Sequence, residues 1–414
     1  MLVFRGRVID GNGGTPIEKG EVVVDGERIV AVCKEGEYPL PPHTREIRSK
    51  DGTVMPGLMD AHVHLGLNGN FFNVYTTHVY SAICTAVNDL KKILDAGFTS
   101  IRECGGPSNY LKASLADGTI EGPRIFSAGK CVVQTGGHFD FIKQFPVEYT
   151  MHHDRNITSV VSDGVDEARK TARLQFREGA DFIKLMLTPG NVSQSTKYHI
   201  QEFSDQEIRT FVEEAEKYGT YVAAHTHANA GIKAALRCGV KCLEHCTYAD
   251  ESDLEQIVKK NIWYVPTLST SYRFMQNLNK AMPWVREKMT ASFERRTKFA
   301  RLAHEAGAIM GCGADFGGDE ICPHGLNGLE LRLLVEIAGF TPMEAIVAAT
   351  KTNAQILLCE DKLGTLEPGK LADMILVEGN PLEDISLLSD PNQISVVLQN
   401  GVVKKDTLGV LPCQ

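Results

Sequence analysis

The middle of the chain alternates short apolar runs with amphipathic stretches. The apolar runs predict β-strands near residues 56–64, 98–103, 124–128, 181–187, 221–225, 241–245, 262–267 and 308–314. Two of the helical patterns between them start clearly, because Ser204 to Glu207 and Thr341 to Glu344 both have the spacing of a capping box. Regular alternation of strand and helix is typical of a parallel α/β sheet. We therefore predict a (β/α)8 TIM-type barrel over residues 55–364.

The two ends of the chain show a different pattern, with short alternating strands separated by turn residues. Asp25-Gly26 stands between two such strands and indicates a tight hairpin. The strands before residue 55 are too few to fold alone, and further strands near 373–378 and 394–398 provide partners. We therefore predict one small β-sandwich domain built from residues 1–54 and 365–414.

Composition narrows the class of protein. With 414 residues, 43% of them hydrophobic, the chain can bury a large core. A formal net charge of −9 without long basic runs argues against a nucleic-acid surface. Eleven cysteines, several inside apolar runs, fit reduced thiols in a cytoplasmic protein better than a disulfide framework. We find neither a secretory signal nor the roughly 20 apolar residues in a row that a membrane span needs.

The first predicted barrel strand carries candidate metal ligands. Asp60, His62 and His64 alternate with Ala61 and Val63, so a period of two sends the three polar side chains to one face. Imidazole is a good ligand for zinc and related ions. The pair of histidines does not establish a metal site by itself, because two histidines on a strand are more often unrelated packing or surface residues.

Four later residues could complete a metal site. Lys184, His225, His245 and Asp315 each lie at the C-terminal end of an apolar run. In a (β/α)8 barrel these ends open onto one mouth, where such enzymes place their chemistry. Each also has a plainer interpretation: Lys184 as a paired strand-end lysine, His245 as a core histidine, and Asp315 as a cap of the following segment.

The ordered set His-x-His, Lys, His, His and Asp resembles the amidohydrolase superfamily over nearly the whole chain. Residues 363–377 are similar to the closing segment of that superfamily. Three shorter stretches resemble its imidazolonepropionase-related branch, which includes Xaa-Pro and Xaa-Arg/Lys dipeptidases and ochratoxin-type amidases. These stretches are Gly179 to Lys184, Gly136 to His138 and Pro323 to Gly325.

The resemblance implies a binuclear metal centre. Its ligands would be His62, His64, Lys184, His225, His245 and Asp315. The cofactors would be two divalent metal ions, zinc first among them, together with Lys184 carboxylated by carbon dioxide. A metal-bridging hydroxide would attack the substrate carbonyl while Asp315 shuttles the proton. Asp60 would orient one of the metal ligands without binding the metal itself.

Two further histidines are candidates for contact with the substrate. Gly136 and Gly137 give the backbone before His138 the freedom to press close to a ligand, although a solvated loop residue is the plainer interpretation. His227 shares a side with His225, and dipeptidases of the branch have a tyrosine there that helps the scissile carbonyl. Here His227 would have to act as the hydrogen-bond donor, which departs from the dipeptidase pattern.

Further predictions concern two long connections and several single residues. Long connections near 129–163 and 268–283 are expected to be lids or binding loops. They hold Arg155 and Arg273, candidates for binding a substrate carboxylate. The remaining expectations are structural: His324 supports the fold, His152 and His153 are exposed, and Cys246 and Cys312 are buried packing residues.

The predicted function is metal-dependent hydrolysis of an amide bond in a dipeptide or an N-acyl amino acid. Two alternatives keep the barrel: opening of a cyclic amide, such as a lactam or imidazolone, or deamination of a ring. Deaminases of the superfamily generally hold one metal and have no carboxylated lysine, so Lys184 argues against them. A non-catalytic binding barrel is a third hypothesis. We expect a small-molecule substrate and a homo-oligomer, because relatives commonly assemble.

Overall fold

The computed structural model describes residues 1–67, 77–140, 157–193 and 199–409, and His152, His153 and Arg155 lie outside this part of the chain. Its strands are β1 (Leu2–Val8), β2 (Ile17–Asp25), β3 (Arg28–Lys34), β4 (Arg45–Pro56), β5 (Leu58–Val63), β6 (Phe98–Glu103), β7 (Arg124–Ser127), β8 (Cys131–Val133), β9 (Ser159–Val161), β10 (Ile183–Met186), β11 (Val222–Thr226), β12 (Cys242–His245), β13 (Trp263–Val265), β14 (Met374–Val377), β15 (Ile394–Gln399) and β16 (Val402–Asp406).

Helices follow most of the central strands. They are α1 (Val79–Asp95), α2 (Lys112–Ala116), α3 (Val165–Arg177), α4 (Asp205–Lys217), α5 (Asn229–Cys238), α6 (Glu251–Lys259), α7 (Leu268–Gln276), α8 (Pro283–Glu305), α9 (Leu329–Glu336), α10 (Pro342–Val347) and α11 (Asn353–Ile356). Capping boxes begin α4 at Ser204 and α10 at Thr341, as the sequence predicts. None of the helices in the described ranges has the length and apolar character needed to cross a membrane.

Both ends of the chain contribute to one seven-stranded sheet, in the order β16-β15-β14-β4-β1-β2-β3. Strand β4 pairs in parallel with β1 and antiparallel with β14, so it joins the two chain ends. An apolar cluster that includes Phe4, Val22, Val54 and Leu398 forms a core on this sheet. The division into domains at residues 54 and 365 stays a prediction.

The central strands form two parallel sheets, β5-β6-β7 and β13-β12-β11-β10-β8-β9. Residues 309–316 connect their outer edges, because Phe316 pairs with Val63 of β5 and Met310 pairs with Tyr264 of β13. Gly313 permits this approach, since a Cβ there would lie 2.9 Å from the His62 backbone nitrogen. The molecule thus has an α/β fold with parallel sheets, while closure into a complete eight-stranded barrel stays a prediction.

Three predicted elements differ from the observed ones. The stretch 129–163 was predicted as a loop, but it contains strands β8 and β9, which pair in parallel with each other. The stretch 308–314 forms an isolated bridge at Met310 rather than a regular strand. The stretch 268–283 was expected to be a loop, but its first part is helix α7. The buried Glu330 carboxylate accepts hydrogen bonds from the Leu268 and Ser269 backbone nitrogens at 2.9 and 2.7 Å, which satisfies the first turn of this helix.

The cysteines agree with the expectation of reduced, mostly buried thiols. Within the described residues the cysteines are all free, and most are buried. Cys246 and Cys312 are both buried, as expected of packing residues. Cys246 contacts Thr226, with 3.5 Å between Sγ and Oγ1.

Candidate active site

All six predicted metal ligands line one pocket at the C-terminal ends of the central strands. His62 lies in β5 and His64 just after it, Lys184 lies in β10, His225 in β11 and His245 at the end of β12, and Asp315 lies in the 309–316 segment. The ring centroid of His62 lies 5.3 Å from that of His64 and also 5.3 Å from that of His245. Those of His225 and His245 lie 4.6 Å apart.

Asp315 faces the histidines of β5 and β12. Its Oδ1 lies 3.4 Å from His62 Nε2 and 3.6 Å from His64 Nε2, and its Oδ2 lies 3.9 Å from His245 Nδ1. Burial raises the pKa of this carboxyl to about 7, against the lowering effect of Arg296 and Lys184. A carboxyl with such a pKa can both accept and return a proton near neutral pH.

The backbone at the pocket is strained where it presents its side chains. His245, Thr267 and Asp315 have φ values of 69°, 52° and 56°, in the left-handed region that non-glycine residues rarely adopt. Each lies where the chain leaves a central strand or the 309–316 segment. Strain of this kind costs roughly 1–3 kcal/mol per residue and is typical of functional sites.

The two histidines of the first predicted motif are oriented through Nδ1. His62 Nδ1 donates to Glu244 Oε2 at 2.7 Å, and His64 Nδ1 donates to the Gly105 carbonyl at 3.0 Å. Because both partners are acceptors, Nε2 of each ring keeps its lone pair. Burial lowers the pKa of His62 well below its usual value and that of His64 to about 4, so both rings are neutral, the form that binds metals.

Lys184 is the most unusual group of the pocket. Its side chain is fully buried, with 0% exposure, and Nζ has no hydrogen-bond partner among the described residues. Nε2 of the buried His225 likewise has none. Buried polar groups are normally hydrogen-bonded, so these two atoms point to a group that the protein binds there.

Comparisons with known proteins agree with this geometry. A model described as the Amidohydrolase family matches residues 53–404. The chain belongs to the amidohydrolase family. It is 34% identical over 427 residues to an ochratoxinase of Aspergillus niger, which covers 98% of this chain and 86% of that protein.

Solved structures give the same result. The crystal structure of the Aspergillus niger ochratoxinase has a TM-score of 0.90 and 32% identity, covering 99% of this chain and 96% of that one. A prolidase complexed with N-methylphosphonate-L-proline has a TM-score of 0.91 and 33% identity, covering 98% and 100%. A Xaa-Pro dipeptidase with bound methionine has a TM-score of 0.87 and 31% identity, covering 97% and 99%.

These similarities confirm the resemblance to the branch of dipeptidases and ochratoxin-type amidases. Its structural relatives have the TIM-barrel type of fold with a small additional domain, and the parallel α/β sheets of this chain agree with that fold. The chain is a hydrolase that acts on amide bonds.

Sequence reasoning missed Glu244, the partner of His62. Glu244 and Arg102 are both fully buried and form an ion pair, with 2.6 Å between Oε1 and Nη2. Burial opposes ionisation of Glu244, but the charges of Arg102 and Lys184 outweigh it and hold its pKa below the usual value. The only signal in the sequence was an acidic residue next to His245 inside an apolar run.

Asp60 contacts the candidate ligands through the backbone. Its Oδ1 accepts from the backbone nitrogens of His62 and Ala314 at 2.9 and 3.1 Å, and Oδ2 accepts from Asn327 Nδ2 at 2.8 Å. It therefore ties β5 to the 309–316 segment rather than orienting an imidazole ring. Period-two alternation predicted its face correctly but not its partners.

Cys104, Glu244 and His62 also lie close enough together to suggest a metal, with their possible ligand atoms within 4.8 Å of one another. Glu244 is already paired with Arg102, and His62 Nδ1 is already bonded to Glu244. We therefore interpret this cluster as a hydrogen-bonded support for His62 rather than a second site.

Replacing Glu244 by glutamine is expected to weaken zinc binding about 10–100-fold, the usual effect of losing a carboxylate behind a ligating histidine. It should also lower the free energy of unfolding by about 3–5 kcal/mol, because Arg102 loses its buried counter-charge. Zinc titration and urea unfolding measure the two effects. Glu330→Gln is the matched control, since Glu330 is also buried but caps α7. Unchanged zinc affinity in Glu244→Gln would contradict this role.

His138 and His227, the predicted substrate-contact residues, both line the pocket. His138 is buried rather than solvated, its ring centroid lies 4.3 Å from that of His225, and its Nδ1 lies 2.6 Å from Ser193 Oγ. Gly190 makes room for it, because a Cβ there would lie 2.2 Å from His138 Cε1.

Two cations of α8 were missed. Arg296 is buried and lines the pocket, and Lys288 is partly buried and donates to the Ser193 carbonyl at 2.5 Å. Arg273, the sequence candidate, instead donates from Nε to the Ile321 carbonyl at 2.7 Å and is not among the residues that line the pocket. Nothing in the sequence distinguished Arg296 from the other charged residues of its helix. His324 supports the fold as expected, donating from Nε2 to the His64 carbonyl at 3.0 Å.

Proposed function

We propose that this amidohydrolase is a binuclear metal-dependent hydrolase of dipeptides or N-acyl amino acids. The observation that carries the proposal is Lys184, whose buried Nζ has no hydrogen-bond partner among the described residues. An ammonium would repel any cation held by the surrounding imidazoles. Reaction of the neutral amine with carbon dioxide forms an N–C bond, releases one proton and leaves a carbamate, an anion with two oxygen ligands.

The residues of the pocket fit such ions. The Nε2 atoms of His62 and His64 keep their lone pairs, and His225 Nε2 is buried without a partner among the described residues. Imidazole nitrogens with carboxylate oxygens are a typical zinc donor set. His62, His64 and Asp315 would hold one ion, His225 and His245 would hold the other, and carboxylated Lys184 would supply further oxygen ligands.

Two bound divalent cations would supply a water of lowered pKa and polarise the substrate carbonyl. Asp315 Oδ1 would take the proton of the water that attacks the carbonyl carbon. It would then return that proton to the nitrogen as the C–N bond breaks, because an amine leaves poorly as an anion. His138 and His227 would contact the substrate from the side of the pocket formed by β11, since both rings lie beside that of His225.

The shape of the pocket supports a carboxylate-bearing substrate with an apolar portion. Phe139, Met186, Phe274 and Met289 form an apolar wall, and Arg296 provides a buried positive charge. The names of the relatives agree, since they include an ochratoxinase and a prolidase complexed with N-methylphosphonate-L-proline. We propose that the pocket takes an apolar acyl group or residue and a free carboxylate.

The test is a hydrolysis screen on protein supplied with zinc and bicarbonate. N-acyl amino acids and dipeptides should release free amine, and metal analysis should find two ions per chain. Cyclic amides and ring amines are included because they represent the alternative reactions. Turnover of those compounds alone, or full activity of a metal-free protein, would contradict the proposal.

A cytoplasmic location and assembly into a homo-oligomer belong to the same proposal. The free cysteines of the described residues support a reducing compartment.

A further inference from the structure

Two histidines of the pocket lie side by side with nearly parallel rings. The centroids of His227 and His245 are 4.8 Å apart and the rings differ by 13°. Each Nδ1 lies 2.6 Å from a threonine Oγ1, that of Thr247 for His227 and that of Thr267 for His245. A hydroxyl can donate or accept, so these distances alone do not say which ring nitrogen carries the proton. The other partners of the two hydroxyls decide it.

At His245 the threonine accepts. Thr267 Oγ1 donates its one hydrogen to the Pro266 carbonyl at 2.8 Å, so it can only accept from His245 Nδ1. Nε2 of His245 therefore has a lone pair. This tautomer is the one that a metal ligand needs.

At His227 the donor and acceptor are exchanged because of Arg296. The guanidinium places Nη2 3.4 Å from His227 Nδ1 and Nε 3.4 Å from Thr247 Oγ1. A guanidinium has donors and no acceptor, so Nδ1 must accept. The Thr247 hydroxyl accepts from Arg296 and turns its hydrogen toward Nδ1. The ring proton is then on Nε2.

We propose that Arg296 and Thr247 are positioning residues that hold His227 as the Nε2–H tautomer, so that Nε2–H carries the donor role already expected of His227 and this nitrogen is not a metal ligand. The donor role rests on the proposed amide hydrolysis, whereas the tautomer does not. Proximity alone leaves the question open, because His225, His227 and His245 each offer a nitrogen within 4.8 Å of the others. Arg296 and Thr247 are positioning residues, and His227 is the catalytic residue.

The direct test is NMR spectroscopy of the zinc-loaded protein with ¹⁵N-labelled histidine rings. Long-range ¹H–¹⁵N spectra distinguish the two neutral tautomers, and the His227→Gln variant identifies the His227 signals. We expect the proton on Nε2 for His227 and on Nδ1 for His245. A proton on Nδ1 of His227 would overturn the proposal, whether or not the protein hydrolyses any amide.

The two threonines give a matched pair of variants. Thr247→Val should leave zinc affinity within about twofold of wild type and lower kcat about tenfold, since the donor is less well oriented. Thr267→Val removes a hydroxyl of the same kind beside His245 and should weaken zinc binding about 10–100-fold. A loss of zinc affinity in Thr247→Val as large as that in Thr267→Val would show that His227 binds the metal and would overturn the proposal.

Variants at His227 separate the donor role from a structural one. His227→Leu should keep both zinc ions and lower kcat about 10²–10³-fold with a smaller change in KM, the expected loss for one donor to a developing oxyanion. His227→Gln retains a side-chain N–H and should recover part of kcat. Loss of a zinc ion in His227→Leu, or a wild-type kcat in that variant, would contradict the proposal. Failure of the wild type to hydrolyse amides would remove the proposed function, while the NMR result would still stand.

Discussion

Replacing Asp315 by asparagine is expected to lower kcat about 10³–10⁴-fold, near the upper end of what a general acid–base contributes. The amide of asparagine cannot take the proton of the attacking water or return it to the leaving nitrogen. The change should leave the backbone intact, because φ of residue 315 is 56° and asparagine tolerates the left-handed region well. Steady-state kinetics on the best N-acyl amino acid measures the effect, with zinc content determined on the same sample.

A second acid in the same segment provides the control. Asp319 is largely buried, and its Oδ1 accepts from the backbone nitrogens of Ile321 and Cys322 at 2.8 and 2.6 Å. Asp319→Asn should therefore keep kcat within about threefold of wild type, since Asp319 does not line the pocket. A kcat of Asp315→Asn within tenfold of wild type would exclude Asp315 as the proton shuttle.

The positions of the candidate ligands were predictable because strand geometry is local. Alternation along β5 put His62 and His64 on one face, and each later candidate followed an apolar run whose C-terminal end faces the same mouth. The period of a strand and the direction of parallel strands are enough for this. No knowledge of side-chain partners is needed.

The groups that orient the ligands could not be predicted in the same way. Glu244 reaches His62 across 182 positions in sequence, and Arg102 reaches Glu244 across 142. Such pairs depend on which strands become neighbours and on rotamers, and neither has a periodic signal. The role of Arg296 could not be predicted either, since it is one cation among several on α8.

Helix α7 shows a second limit. Thr267, Glu330 and the following turn together begin this helix, through a left-handed φ at Thr267 and a carboxylate that caps from 62 positions away. Thr267 is of a residue type common at helix N-caps, but its side chain makes no capping hydrogen bond here, so the local sequence alone did not indicate where the helix begins. Because this capping carboxylate is distant in sequence, the sequence predicted a loop where the structure has a helix.

Lys184→Ala is expected to abolish detectable hydrolysis and to reduce bound zinc from two ions to at most one. The substitution removes the side chain that we propose as the shared anionic ligand between the two histidine sets, and it leaves an empty space where the lysine was fully buried. Supplying propionate with zinc should restore part of both zinc content and kcat, because a small carboxylate can enter that space and offer the two oxygens of a carbamate. Metal analysis measures the recovery of zinc content, and amine release independently measures the recovery of kcat.

Propylamine is the matched control for this rescue, because it has a similar size but carries a positive charge at neutral pH. If Lys184 acts as an ammonium that pairs with Asp315 or Glu244, propylamine should rescue the variant and propionate should not. If it acts as a carbamate, propionate should rescue the variant and propylamine should not. The activity of the wild type should then depend on bicarbonate. Retention of two zinc ions by Lys184→Ala without any additive would contradict the carbamate role, since a ligand that bridges the ions cannot be removed without weakening at least one of them.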